Sequence, residues 1–408
     1  MKIAFLSYEY PPETGGGGIG TYLAQMVKYL PQYGHKPVVF CGTNKAEDFW
    51  ENEFVYRIHC RNTQQFNEVL IVQFEKIHND INFDIAEGTD FAACGLSLLK
   101  SFPSLPFVVR AHSANFIVDQ YLYQPLKGWA KWRFILGAIK RFQLPNLPKP
   151  PSENDYPLEK EIIQKCDAVL SPSHSLGEIY KNLGWINDYY FLPYLYQPTE
   201  ELVSIQSDIR TDKDLNIVFY GRLEIRKGVL EIAEAIPSLL KKYPLLKFYF
   251  IGKSTNSPIS GMDMKTYLQN KLKKHLTNII FKEAFQPQDI SRILIMGDIF
   301  LIPSRYDNSP LVCFETMSAA KAVIGSNSGG MAEIIEDGIS GLLVEPKNPK
   351  QIIEKVSQLV ESAELRIKLG QNARTSVLET YTATKIITLQ LDTYKKVIDQ
   401  KKLELQNS

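Results

Sequence analysis

Short β-branched apolar runs alternate with longer segments of 3.6-residue periodicity along nearly all 408 residues. That rhythm predicts parallel α/β architecture, because strands covered on both faces read as continuous apolar runs and crossover helices as amphipathic ones. In the first half, the pattern predicts strands at 3–6, 37–40, 85–87, 107–110, 168–170 and 190–192. The stretch 194–215 is polar, carries Pro198 and lacks a clear period, so it reads as a linker. The rhythm then restarts, with strands at 216–220, 247–251, 278–281, 299–302 and 322–324 and helices at 229–242, 290–296 and 310–320. From Ser362 onward the chain is helical by pattern and charge. The expectation is two Rossmann-like, doubly wound domains, 1–198 and 215–384, joined by 199–214. A last helix at about 385–408 is positioned to pack back on the first domain. Such sheets bind ligands at the carboxyl ends of their strands, here in a central cleft between domains.

Composition narrows the class. Hydrophobic residues make up 44% and charged residues 22%, as in ordinary globular proteins. A net charge of +1 gives no global field to recruit nucleic acid or an acidic membrane, so any such attraction is local. The five cysteines are scattered and never in C-x-x-C spacing, which suits a reducing cytosol and argues against a disulfide framework or a zinc site. The opening MKIAFLSYEYPP is too short for a secretory apolar region and reads as a first strand. No stretch approaches the roughly 18–20 apolar residues that span a bilayer. The expectation is a cytoplasmic protein, or one peripheral at the cytoplasmic membrane face.

PPETGGGGIG contains Gly15-x-Gly17-x-x-Gly20, formally the dinucleotide-binding fingerprint. The context argues against a nicotinamide or flavin site. Eight residues, Ser7 to Thr14, separate strand from glycine, and strand two ends VFCGTN without the carboxylate that would hold a ribose. TYLAQMVKYL is helical by pattern, so the glycines stand at a helix N-terminus, where bare amides and the helix dipole suit an anion. An unliganded flexible loop is the competing reading.

Three further segments carry chemistry. PSRYDNSPLVCFETM follows an apolar strand, and Asn308-Ser309-Pro310 reads as a helix start with Ser309 as cap. Asp307 then lies at the helix mouth and Glu315 about a turn and a half inside, so both carboxylates can face one cleft; a supporting and a solvated role are the alternatives. YGRLEIRKG opens a helix after a strand, and Arg222 with Lys227 can bracket a diphosphate, unless it is only a salt-bridged turn. SNSGGMAE is another glycine pair at a helix start, or a tight turn.

In this order the pieces resemble the retaining GT-B glycosyltransferases of family 4, over essentially the whole chain. The resemblance rests on the proline-then-GGIGTYL start, GRLEIRKG, PSRYDNSPLVCFETMSAAKAVIGS, GGMAEII and DGISGLLVEP. It implies transfer of a sugar from a nucleotide diphosphate sugar to an acceptor with retention at the anomeric carbon, with no cofactor and no required metal. The family's two acids separated by seven residues fall on Asp307, toward the donor sugar, and Glu315, toward the ribose. Asp307 is one methylene shorter than the usual Glu. Arg222 and Lys227 match the diphosphate-binding pair, Gly17 and Gly18 the glycines approaching the phosphate from the opposite wall, and His112 the histidine near the anomeric centre. Where the family has Phe-Gly this chain has Ser309-Pro310; Pro310 lacks an amide donor, so those contacts fall to Leu311 and Val312. A nucleotide-sugar epimerase, a phosphorylase, or a noncatalytic nucleotide-sugar-binding protein share the architecture.

One segment points to the acceptor. Residues 126–142, LKGWAKWRFILGAIKRF, hold five Lys/Arg and no acid. At 100° per residue, Trp129, Trp132, Ile135, Leu136, Ile139 and Phe142 share a face, with the cations opposite and Phe134 among them. This is the composition of an interfacial helix, pointing to anionic lipid and a lipid-linked acceptor. A helix packing its tryptophans under the first domain, or around a soluble acceptor, reads equally well.

Overall fold

The computed structural model describes residues 1–408 except 16, 124, 126–127, 141–143, 146, 148, 207–213, 284–288 and 408, and residues 129 and 130 by their backbone alone. Parts of the linker and of the basic 126–142 segment therefore lie outside the described residues.

Two sheets carry the fold. The first contains β1 (Lys2–Leu6), β2 (Lys36–Thr43), β3 (Phe49–Asn52), β4 (Val55–His59), β5 (Ile85–Thr89), β6 (Phe107–Arg110), β7 (Ala168–Ser171) and β8 (Tyr190–Phe191). Its order is β3-β4-β2-β1-β5-β6-β7-β8, parallel except for the β3–β4 pair. The second contains β9 (Asn216–Tyr220), β10 (Lys247–Ile251), β11 (Ile279–Lys282), β12 (Ile299–Ile302), β13 (Ala322–Ser326) and β14 (Leu342–Val344), in the order β11-β10-β9-β12-β13-β14, all parallel. Chain order reverses at β1/β5 in one sheet and at β9/β12 in the other. Those switch points open a crevice at the strands' carboxyl ends.

Three strands are additional to those the sequence predicts: β3, β4 and β14. β4 reads VYRIH, and its central Arg57 is fully buried, anchored by Glu51 and by the carbonyls of Tyr10, Gly42 and Pro11. A cation in mid-strand breaks the apolar run by which strands are recognised.

The chain crosses back after the second domain. Ile387, Tyr394 and Val397 of the helix Ala383–Asn407 join Ile3, Phe5 and Val39 in one buried cluster. In the same layer Glu87, in the middle of β5, accepts the hydroxyls of Tyr22 and Tyr394, each at 2.6 Å. A buried carboxylate requires such donors, so this network fixes the helix's register on the sheet.

Candidate active site

β9 ends at Tyr220 and turns through 221–228 into the helix Val229–Lys242. Gly228 has φ 79°, and a Cβ there would stand 2.1 Å from the Pro303 carbonyl oxygen. Only glycine permits this backbone contact with the loop after β12. Arg226 then rivets the two segments, donating to the Tyr306 carbonyl at 3.0 Å and to Glu224 at 2.8 Å. The other two cations of the turn differ in setting. The Lys227 ammonium pairs directly with Asp307. Arg222 lies 3.5 Å from Glu224 and keeps 59% of its side chain exposed.

Asp307 is the firmer half of its ion pair. Burial pushes its carboxyl up, but Lys227, Arg226 and Arg222 outweigh that and hold it below the usual carboxylate range. Burial pulls Lys227 below its ordinary value although Asp307 opposes the shift, and Arg226 adds to it. Beneath Asp307 the Gly329–Gly330 pair provides a close backbone approach: Gly329 has φ 65°, and Gly330 N–H donates to the Asp307 carbonyl at 3.0 Å.

The helix after this loop is Leu311–Ser318, with Pro310 rather than Ser309 at the cap position. Pro310 has an extended ψ of 117°, because the loop before it is pinned to Gly330 and, through Asn308, to Ser173 of the other domain. The amides of Leu311 and Val312 are thus the first of the helix, without intrahelical acceptors. One turn on, Glu315 accepts the Tyr220 hydroxyl at 2.7 Å, and burial raises its carboxyl. Tyr220 also reaches the Val312 carbonyl at 3.1 Å.

The opposite wall comes from the first domain. Gly17 caps the helix Gly18–Tyr29. A Cβ on Gly20 would press to 2.8 Å from Pro11, and one on Gly15 to 2.9 Å from Glu9, so packing accounts for both. A Cβ on Gly18 would meet nothing within 4 Å, and one on Gly17 would meet only Glu9, at 3.5 Å. Packing against the protein does not account for these two glycines. Burial raises the Glu9 carboxyl and Arg222, from the other domain, lowers it, so the glycine loop and the cationic turn sit within electrostatic reach. A cavity of 310 Å³ joins the walls, lined by Gly18, Tyr22 and Tyr194 on one side and Ser291, Leu311 and Glu315 on the other.

His112 follows β6 and abuts this cavity's wall, its ring 5.3 Å from that of Tyr194 and 5.6 Å from that of Tyr22. Burial, then Arg110, holds its imidazole well below the ordinary value, so it is neutral at neutral pH. The Tyr194 hydroxyl reaches both the Ala111 carbonyl, at 3.1 Å, and His112 Nδ1; in the tautomer with the proton on Nδ1, the hydroxyl donates to the carbonyl and Nε2 is the acceptor nitrogen. His112 Nε2 is buried with no hydrogen-bond partner among the described residues. Asp90 shapes the backbone here, accepting His112 N–H at 2.7 Å and Ser113 N–H at 3.0 Å while Ser113 sits at φ 90°.

Of the expected site residues, Gly18, Leu311 and Glu315 line the cavity itself; Lys227 and Asp307 pair on the adjoining loops of the second domain, with Arg222 on the same turn, and His112 stands behind Tyr22 and Tyr194. The direct contact among them is Lys227–Asp307. Sequence reasoning missed Asp90, Arg226, Tyr194, Tyr220 and Glu9. Asp90 alone carried a usable signal, a carboxylate just past a strand's carboxyl end.

Two family profiles match the chain: Glycosyltransferase Family 4 over residues 16–188 and Glycosyl transferases group 1 over 204–376. Spore coat protein SA of Bacillus subtilis is 29% identical over 97% of this chain and 100% of its own. N,N'-diacetylbacillosaminyl-diphospho-undecaprenol alpha-1,3-N-acetylgalactosaminyltransferase of Campylobacter jejuni is 28% identical over 98% of this chain and 99% of its own. Among solved structures, HepE of Anabaena in complex with UDP-glucose superimposes with a TM-score of 0.67 at 14% identity, covering 97% of this chain and 100% of that one. With its paired parallel sheets, its facing walls and both halves matched in order, the chain belongs to the GT-B glycosyltransferases of family 4.

Proposed function

We propose that the protein is a retaining, metal-independent glycosyltransferase that moves a sugar from a nucleotide diphosphate sugar to a saccharide or lipid-linked acceptor, in polysaccharide or glycolipid assembly. The observation that carries this reading is the shared cavity: Gly18 from one domain faces Leu311 and Glu315 from the other. A pyrophosphate in that gap meets Arg222, Lys227 and the Leu311 and Val312 amides from one side, and the Gly17 and Gly18 amides from the other. Glu315 accepts ribose hydroxyls. Asp307 spends Oδ2 on Lys227, while Oδ1 stands 3.7 Å from Arg226 and retains capacity for a sugar hydroxyl. Neutral His112 accepts from a hydroxyl near the anomeric centre.

In the step itself, the bond from the anomeric carbon to the diphosphate oxygen breaks and its electron pair stays on the phosphate. The sugar becomes oxocarbenium-like, the acceptor oxygen bonds on the same face, and the acceptor proton passes to the leaving phosphate. Fixed cations aimed at that oxygen perform the charge stabilisation a divalent ion supplies elsewhere. The UDP-glucose complex of the Anabaena neighbour supports a nucleotide-sugar donor, and the Campylobacter relative's diphospho-undecaprenol substrate supports a lipid-linked acceptor.

The test is incubation with UDP-, GDP- and ADP-sugars, with and without chelator, reading nucleotide release and the product anomer by NMR. Retained configuration and chelator-insensitive turnover are expected. An inverted product or chelator-abolished turnover refutes the mechanism. A free epimer or dependence on inorganic phosphate identifies an epimerase or a phosphorylase instead, and no donor consumption identifies a binding protein.

A further inference from the structure

The helix Gly128–Lys140 lies on the surface of the first domain with its apolar stripe outward. Trp132 is 61% exposed, Leu136 48% and Ile139 55%. These three fall within about 60° of arc at 100° per residue. Arg133 and Lys140 border the stripe on one side and Lys131 on the other, while Ala138 turns inward. The other large exposed apolar side chains are mostly scattered, which is normal for a protein surface. Leu144, just past the helix, is exposed as well, whereas the exposed Phe134 lies on the opposite face. The alternative in which the helix packs its apolar stripe under the first domain does not hold for Trp132.

The surrounding charge selects the occupant. No acid occurs between Asp119 and Glu153, a stretch that carries six Lys/Arg. Among the described residues, Lys131, Arg133 and Lys140 enter no ion pair. A second copy docking here across a two-fold axis would set one basic border against another, and that repulsion disfavours it. An anionic lipid surface complements both features at once, with apolar side chains entering the acyl boundary and cations at the headgroups.

The helix that precedes the stripe in the chain lies at the cleft. The preceding helix, Asn115–Leu122, follows the His112–Ser113 loop and lies against the Ile225–Lys227 turn. Its Tyr121 stacks on Tyr306 of the other domain at 4.5 Å. We infer that Gly128–Lys140 docks the protein on an anionic bilayer beside the cleft mouth, so that the acceptor is presented from that membrane. The docking stands on the helix alone; only the link to an acceptor rests on the transferase reading.

Co-sedimentation of the full chain with phosphatidylcholine vesicles, with and without phosphatidylglycerol, tests it. Pelleting with the anionic vesicles only is expected, weakening as salt rises. Trp132→Glu/Ile139→Glu should lower partitioning roughly tenfold or more, and Lys131→Ala/Arg133→Ala/Lys140→Ala should lower it while keeping the fold. Both variants should hydrolyse donor as the parent does. A parent that stays in the supernatant, variants that bind as well as it, or a variant that converts a dimer to a monomer by light scattering would each overturn docking. Vesicle binding without donor turnover would refute the transferase reading and leave docking intact.

Discussion

Lys227 and Arg222 carry like charge but differ in setting, because one is clamped by Asp307 and the other is held only loosely by Glu224. Clamping fixes a charge before the reaction needs it, the arrangement that stabilises a developing oxyanion most. Lys227→Ala should lower kcat/KM by roughly 10²–10³, as for loss of a preorganised donor, and Arg222→Ala by less, because the donor itself must order that side chain. Near-parental transfer by the double variant would remove both from the mechanism. On the proposed donor-binding role, Glu315 sets the acid side of the profile. Burial raises its carboxyl, so as pH falls it protonates earlier than an ordinary glutamate and stops accepting ribose hydroxyls. The Tyr220 hydroxyl opposes that shift. Tyr220→Phe should therefore move the acid limb of donor kcat/KM to higher pH, and an unmoved limb would detach Glu315 from donor binding.

At the level of elements, strands buried on both faces were legible because their apolar runs are uninterrupted: β1, β6, β9 and β12 stand where the pattern puts them. β4 was not, since its buried Arg57 is satisfied by Glu51 and by carbonyls far along the chain, which no local window contains. The site divides the same way. Arg222, Lys227, Asp307 and Glu315 lie in short motifs, whereas Asp90 acts on residues 22 and 23 positions later and Arg226 on a carbonyl 80 positions away. The helix Ala383–Asn407 gives the clearest consequence of such distance. Without it, Ile3, Phe5 and Val39 lose one side of their cluster, and Glu87 loses the Tyr394 hydroxyl. Residues 1–198 expressed alone should aggregate, and co-expression of 383–407 should restore soluble protein; a stably folded 1–198 fragment would contradict this. Tyr394→Phe in the full chain should cost about 1–3 kcal/mol, the penalty for depriving a buried acceptor of its donor, read as a lower unfolding midpoint.

Across the whole molecule, the two domains touch beside the loop that carries Asp307. Glu333 accepts the His174 and Ser175 amides at 2.8 and 2.7 Å, adding a carboxylate from one domain to the start of the helix His174–Asn182 in the other. Asn308, next to Asp307, meets Ser173, and Tyr306 stacks on Tyr121. Glu333→Ala should weaken the contact between the domains by about 1 kcal/mol at most, given its exposed setting, or roughly fivefold in the ratio of joined to parted domains. A larger radius of gyration by X-ray scattering and a raised donor KM would register it, and identical scattering would assign the joining to other contacts. The returning helix also bears on biosynthesis. A ribosome delivers β1 long before residues 383–407, so the earlier-made lobe waits, incomplete, while the later-made one can finish folding. The nascent protein must carry that open apolar seam through most of its translation, which makes the interval before the crossing helix emerges the point of greatest exposure to chaperones and proteases.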